Sequence, residues 1–245
     1  MNITVFGASG GIGQHFIELA TARDHTIRAV YRTMPQVSHV SRGSQVEILV
    51  NPDIFNPDFV ARAIRDADVV VTTLGPTFVK RHNAMTKMIS PPDIHQRLAG
   101  ALVRAMSDAG APTKVISVST GSMGPGDAVM GLGPRMLLGV FRTFVARNLR
   151  RVGRDLGAME QVLAAGGLDW YAVRPIKLTD GPLTMHVQAS DRFVMKSISR
   201  ADVAWYLLTL AEDPKPRLLR TPILVPAPGS LARQSEKELA AGRMS

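Results

Sequence analysis

Short apolar runs rich in Val and Ile alternate along this chain with segments whose apolar residues recur three or four positions apart. Residues 2–7, 26–31, 46–50, 68–73, 114–119 and 169–173 make up the first set. Runs of this length and composition read as strands buried on both faces, and the three-or-four spacing reads as amphipathic helices. Helices are predicted over 12–23, from Asn56 or Asp58 to near Asp66, over 93–109, over 134–165 with a break near Gly153, and from Ser199 to Ala211. In the last of these Ser199 is a good N-cap and Asp202 is placed where an acid suits the helix dipole. A short β segment around 193–195 and an edge strand over 221–225 complete the pattern. The regular alternation predicts an α/β protein with a parallel sheet and crossover helices, in one domain spanning 1–229. Residues 230–245, rich in charge, Ala and Gly, read as a flexible tail. Two stretches read as irregular loops that form a substrate pocket: 76–92, after the stop at Leu74-Gly75-Pro76, and 121–135, rich in Gly and Pro.

The first strand runs into Gly7-Ala8-Ser9-Gly10-Gly11-Ile12-Gly13 and then into a helix carrying Phe16, Ile17, Leu19 and Ala20. A glycine turn between strand and helix lets backbone N–H groups approach a pyrophosphate, and the helix N-terminus favours its charge. The spacing is G-x-x-G-x-x-G, and its place at the head of a strand-turn-helix unit supports dinucleotide binding over a plain structural turn. The arrangement resembles a Rossmann-type doubly wound parallel sheet. Its second strand, ending at Tyr31, leads into Arg32-Thr33 with no Asp or Glu nearby. NAD sites offer an acid to the ribose 2′-OH, whereas NADP sites offer a cation to the 2′-phosphate, so NADPH is the expected cofactor.

Composition narrows the chemistry further. The 245 residues include no Cys, which removes disulfides and thiolate chemistry, and six scattered His with no ligand-like grouping, so no metal is expected. The net charge of +9 fits a nucleic-acid or membrane partner and equally an anionic cofactor and an anionic substrate. Much of the excess falls on Arg135, Arg142, Arg147, Arg150, Arg151 and Arg154, of which Arg147, Arg151 and Arg154 share a helix face. A solvated face is the ordinary reading, and with no nucleic-acid module a nucleic-acid partner is not expected. Neither a signal-peptide pattern nor an apolar run long enough to span a bilayer is present, so a cytoplasmic protein is expected.

With the glycine loop, Arg32, Leu74-Gly75, Ser119-Thr120, Arg174-Pro175 and Ser199-Arg200-Ala201-Asp202-Val203-Ala204 in view, the chain resembles the atypical short-chain dehydrogenase/reductases. The group in question is the NAD(P)H-binding family that includes biliverdin reductase B, a flavin reductase, and the NmrA-like regulators, and the similarity covers about 1–226. The resemblance implies that Gly7, Ser9, Gly10, Gly11, Ile12 and Gly13 hold the pyrophosphate and Arg32 and Thr33 the 2′-phosphate. It further implies Asp53 and Ile54 against the adenine, Leu74 and Gly75 along the adenosine and pyrophosphate, Ser119 and Thr120 facing the nicotinamide, and Pro175 and Ile176 on its carboxamide side.

One departure bears on catalysis. The wider superfamily uses Tyr-x-x-x-Lys as a proton donor, yet four residues beyond Tyr31, Tyr171 and Tyr206 stand Pro35, Pro175 and Leu210, and the lysine-like position corresponds to Asp155. Hydride transfer to a flavin, quinone or polyketide-like conjugated carbonyl needs mainly close placement and a dry pocket. Ser119 and Thr120 are the candidate catalytic hydroxyls, with cofactor contact as the other reading. His82 and Lys80-Arg81 stand in the 76–92 loop, and Met123, Met130, Met136 and Leu137-Leu138 supply either an adaptable pocket or a core or dimer face. The expectation is an NADPH-dependent reductase of a conjugated small molecule. A dinucleotide-sensing regulator that does not turn the cofactor over is the alternative, and a cofactor-assisted isomerase or dehydratase is a third.

Overall fold

The computed structural model describes residues 1–35, 45–76, 78–81, 84–88, 90–109, 114–120, 150–191, 196–216 and 220–227. The first half runs β1 (Asn2–Phe6), α1 (Gly11–Thr21), β2 (Thr26–Tyr31), β3 (Val46–Val50), α2 (Pro57–Ile64), β4 (Val69–Thr72), β5 (Phe78–Arg81), β6 (Ala84–Met88) and α3 (Ile94–Ala109). The second half runs β7 (Lys114–Val118), a helix α4 over 150–165, β8 (Trp170–Pro175), β9 (Lys177–Thr179), β10 (Val187–Ser190), β11 (Ser197–Ser199), α5 (Arg200–Glu212) and β12 (Ile223–Pro226).

Eight strands form one sheet in the order β10-β12-β8-β7-β4-β1-β2-β3. All neighbours are parallel except β10, which runs antiparallel to β12. Helices cover both faces, as strands with two apolar faces require. On one side Ile12, Phe16 and Ile17 of α1 share a core with Val203, Leu207 and Leu210 of α5. On the other, Phe59 and Val60 of α2 meet Leu98 and Leu102 of α3 and Met159 and Leu163 of α4. The molecule is thus a single α/β domain of the Rossmann kind. No helix of the described residues is long and apolar enough to cross a membrane.

Local chemistry sets the helix ends. Asn56 caps α2, its Oδ1 accepting from Phe59 N at 3.0 Å, and Ser199 caps α5, its Oγ accepting from Asp202 N at 2.9 Å. The Asp202 carboxylate is buried and does more than favour the dipole. It accepts from Thr184 N at 2.7 Å, Thr184 Oγ1 at 2.9 Å and Met185 N at 2.9 Å, fixing the segment between β9 and β10. At the far end of α5 the buried Lys114 donates Nζ to the carbonyls of Leu210, Ala211 and Asp213, closing the last turn with a cation. Burial lowers the Lys114 pKa, against the pull of Asp169 and Asp213.

Several sequence expectations need correction. The 76–92 stretch contains an antiparallel hairpin, β5 with β6, because two short mixed-polarity strands give no clear two-residue period. Helix α4 runs unbroken through Gly153, which is buried and has no need of a bend. Residues 221–225 do not end at an edge: β12 lies between β8 and β10, whose Val-Gln-Ala-Ser sequence is too polar to announce a strand. Strand β8 continues through Arg174 and Pro175, pairing with β12 there. The 121–135 loop, the 134–149 part of the long helix, the β segment at 193–195 and the tail over 230–245 lie outside the described residues. So do His82, Arg135, Arg142, Arg147 and the Met123 to Leu138 group.

Candidate functional site

The cleft lies at the C-terminal ends of the parallel strands, with residues of α3, α4 and α5 also on its wall. The order of the sheet reverses between β1 and β4, the switch point where open α/β sheets bind ligands. Gly7 turns the chain out of β1 with φ of +90°, and a Cβ on it would stand 2.7 Å from the Thr73 carbonyl carbon. Gly13 lies so close beneath the loop that a Cβ would collide with Gly7 O and come within 2.9 Å of Thr73 Oγ1. Thr73 Oγ1 donates to Gly7 O at 3.0 Å, which locks the turn against the end of β4. Gly10 begins α1 with no side-chain cap, and the first turn carries no acid. The helix start therefore presents N–H groups to an anion.

The cleft above this loop measures about 960 Å³, room for a molecule of dinucleotide size. Its floor includes Gly7, Ser9, Gly10, Gly11 and Ile12. One end carries Arg32, Ile54, Leu74 and Gly75, and the other Ser119, Thr120, Pro175 and Ile176. Gly13 acts from below. Thr33 and Asp53 are not among the lining residues. Asp53 Oδ1 accepts from Phe55 N at 3.1 Å, and Asp53 N donates to Asn51 Oδ1 at 2.9 Å. Asp53 thus shapes the turn that carries Ile54 and Phe55 to the cleft, and the Arg97 guanidinium covers the Phe55 ring at 4.3 Å.

Charge in the cleft has one sign. Among the described lining residues Arg32 and Arg200 carry fixed positive charge, and none is an Asp or Glu. His95 is buried at the start of α3. Its Nδ1 lies 2.6 Å from Asp155 Oδ2 and its Nε2 donates to Leu74 O at 3.1 Å. Asp155 also accepts from His95 N at 3.1 Å and Gln96 N at 2.9 Å, so a carboxylate from α4 caps α3. The residue at the lysine-like position therefore has a structural task, and it holds the ring that steadies Leu74.

Ser119 belongs to a second buried network. Its Oγ donates to Glu160 Oε1 at 2.7 Å, and Glu160 also accepts from Arg174 Nε at 3.1 Å and Nη2 at 2.5 Å. The hydroxyl proton is committed to a carboxylate, which leaves the Ser119 oxygen as an acceptor toward the cleft. The hydrogen bond to Glu160 orients the Ser119 oxygen in a way that suits its reading as a cofactor contact. Tyr31 lines the cleft next to Arg32, with burial raising its pKa, far along the sheet from Ser119.

Sequence reasoning missed His95, Arg200, Glu160 and Tyr31. The partners of His95, Arg200 and Glu160 come from other elements, so spacing gives no sign of them. Gly11 offered one signal. It lies outside the three-glycine spacing and has no positive φ, and a Cβ on it would stand 2.8 Å from Arg200 Cδ.

A family model described as NAD(P)H-binding matches residues 7–214. No curated protein sequence matches the chain. Among solved structures, the chain is similar to ChuY, an anaerobillin reductase from Escherichia coli O157:H7, at 22% identity and a TM-score of 0.68, over 94% of this chain and 98% of that one. It is similar to a short-chain dehydrogenases/reductase from Veillonella parvula at 16% identity and a TM-score of 0.69, covering 94% and 95% of the two chains. A protein from Streptococcus pneumoniae proposed to be an NADH-flavin reductase matches at 19% identity and a TM-score of 0.63, covering 92% and 99%. At these identities the structures share the fold. The family match spans most of the chain and begins at Gly7 of the loop described above, and on it the chain belongs to the NAD(P)H-binding family.

Proposed function

We propose that the protein is an NADPH-dependent reductase of a conjugated small molecule such as a flavin, a quinone or a polyketide-like carbonyl, built as an atypical short-chain dehydrogenase/reductase. The observation that carries the reading is the charge of the cleft: a glycine cradle at a bare helix start, with Arg32 beyond β2 and no acid among the described lining residues. Arg32 is a bidentate partner for a 2′-phosphate, and the position held by an acid in NAD sites carries this cation instead. The residues fit a dinucleotide because Gly7 and Gly13, where a Cβ would collide with Thr73 and Gly7 O, let the loop fold tightly over the bare start of α1 beneath the cleft.

When bound, the cofactor supplies a hydride from its nicotinamide. The chain's own contribution is placement. Ser119, fixed by Glu160, offers an oxygen that accepts from a carboxamide N–H, and Pro175 and Ile176 give an apolar wall that excludes water. Tyr206 and Tyr171 belong to the core, and Tyr31 is at the other end of the cleft, so no tyrosine serves the Ser119 end. This favours an acceptor that stabilises the added electrons itself. The described reductases among the structural neighbours, ChuY and the Streptococcus protein, lend support by their names alone.

The committed proton of Ser119 also favours a second reading, a regulator that senses the dinucleotide without oxidising it. Mixing the protein with NADPH and a panel of flavins, quinones and conjugated ketones separates the two. Loss of reduced-nicotinamide absorbance with any acceptor, dependent on the protein, is the expected result. Tight binding with no oxidation across the panel would replace the reductase with the sensor.

A further inference from the structure

Arg200 is the first residue of α5, and α5 packs against α1 across the shared core. Its stem lies on the glycine loop, where the missing side chain of Gly11 leaves space for Cδ at 2.8 Å and Nε at 3.5 Å from an ideal Cβ. Gly11 has no positive φ, so the glycine there makes room and does not serve a turn. The start of α1 beside it has no side-chain cap and no acid in its first turn. Arg200 Nη1 is held at 2.5 Å by Asp180 Oδ1. That pairing follows from the backbone: β9 and β11 run parallel with Thr179 opposite Ser199, so the next residue of each strand, Asp180 and Arg200, emerge side by side. The Asp180 side chain is 90% exposed and that of Arg200 32%.

We propose that Arg200 is a phosphate-binding residue of this cleft, its pair with Asp180 exchangeable for the diphosphate of a bound dinucleotide. An ion pair with so exposed a carboxylate is weak enough to be exchanged. A phosphate beside the α1 N-terminus offers the guanidinium a bidentate, charge-assisted partner in a more enclosed place. Arg32 and Arg200 then divide the anionic groups of one ligand, Arg32 taking the 2′-phosphate and Arg200 the diphosphate. Asp180 tunes affinity by competing for the cation. The inference rests on the dinucleotide reading above.

The test compares NADPH with adenosine 2′-phosphate, which has the same base and 2′-phosphate but no diphosphate, on wild type, Arg200→Gln, Arg200→Lys and Asp180→Asn. Arg200→Gln is expected to weaken NADPH roughly ten- to hundred-fold and leave adenosine 2′-phosphate unchanged. Arg200→Lys is expected to fall between, keeping charge without the fork. Asp180→Asn is expected to tighten NADPH a few-fold, about the strength of an exposed pair. Denaturation midpoints check that each variant is folded. NADPH affinity unchanged in Arg200→Gln would overturn the proposal and leave the dinucleotide reading standing. Equal weakening of both ligands, or Asp180→Asn weakening NADPH as much as Arg200→Gln, would also overturn it by showing that the ion pair acts through the fold. A wild type that binds no NADPH would overturn both.

Discussion

The Ser119 hydroxyl donates a hydrogen bond to Glu160, and Glu160 balances the buried Arg174 guanidinium. Removing one member of such a set strands the other charge away from water, and the cost exceeds what the intact pair contributes. Glu160→Leu is expected to destabilise the protein by about 3–5 kcal/mol in urea unfolding, and the double change Glu160→Leu with Arg174→Met is expected to recover much of that loss. A double variant as weak as the single would show that packing, and not the stranded charge, sets the cost. At the other end of the cleft, Arg32→Gln is expected to weaken NADPH roughly tenfold or more and leave NADH nearly unchanged. Equal effects on both ligands in a direct titration would remove Arg32 from the 2′-phosphate. Beneath the loop, Gly13→Ala puts a methyl against Gly7 O and Thr73 Oγ1. Overpacking of this kind costs about 1–3 kcal/mol, so a lowered melting temperature together with weaker dinucleotide binding is expected. Gly7, Gly10, Gly13 and Arg32 were readable from the sequence because their tasks depend on local order along one strand-turn-helix unit. Asp155 was readable only as a missing lysine, since its work on His95 crosses 60 positions of chain.

At the level of elements, β1, β2, β4, β7 and β8 announced themselves by short runs rich in β-branched and aromatic residues, and α5 by its cap at Ser199. The β5–β6 hairpin and the β9–β11 pair did not, because strands of three to five residues with mixed polarity are defined by their partners more than by their own pattern. Helix α5 is buried on more than one side, with Val203, Leu207 and Leu208 all fully covered, and it holds one poorly placed group. The Tyr206 hydroxyl is buried with no hydrogen-bond partner among the described residues, and burial pushes its pKa up to about 12. Leaving a hydroxyl unsatisfied costs about 1–3 kcal/mol. Tyr206→Phe is therefore expected to leave neutral-pH stability unchanged or raise it by about 1 kcal/mol. The sign at high pH follows from the raised value: the folded state binds the phenol proton more tightly than the unfolded state, whose tyrosine titrates near 10. Stability is lost as pH climbs through that window toward about 12. The Phe variant is expected to lose less over that range in chemical denaturation. A variant clearly less stable than wild type at neutral pH would mean that the hydroxyl has a partner.

The whole molecule brings the ends of β1, β2, β4, β7 and β8 to one edge, so that residues from Gly7 to Arg200 share a cleft whose described charges are all positive. The sign of the net charge was visible in the sequence, but its location was not. The sequence drew attention to the arginines around 135–154, whereas the cations that line the cleft are isolated residues at strand and helix ends. A ligand that binds only the folded state stabilises it, by about 2.7 kcal/mol at a hundredfold excess over Kd, so saturating NADPH is expected to raise the melting temperature by several degrees. The central claim is that the cleft takes NADPH with its 2′-phosphate on Arg32, and a direct calorimetric titration of the protein with NADPH and with NADH tests it most directly. NADPH binding at least roughly tenfold tighter than NADH is the predicted result, in line with a charge-assisted bidentate contact to the extra phosphate. NADH binding as tightly as NADPH would contradict the assignment of Arg32, and no binding of either would contradict the account of the cleft as a whole.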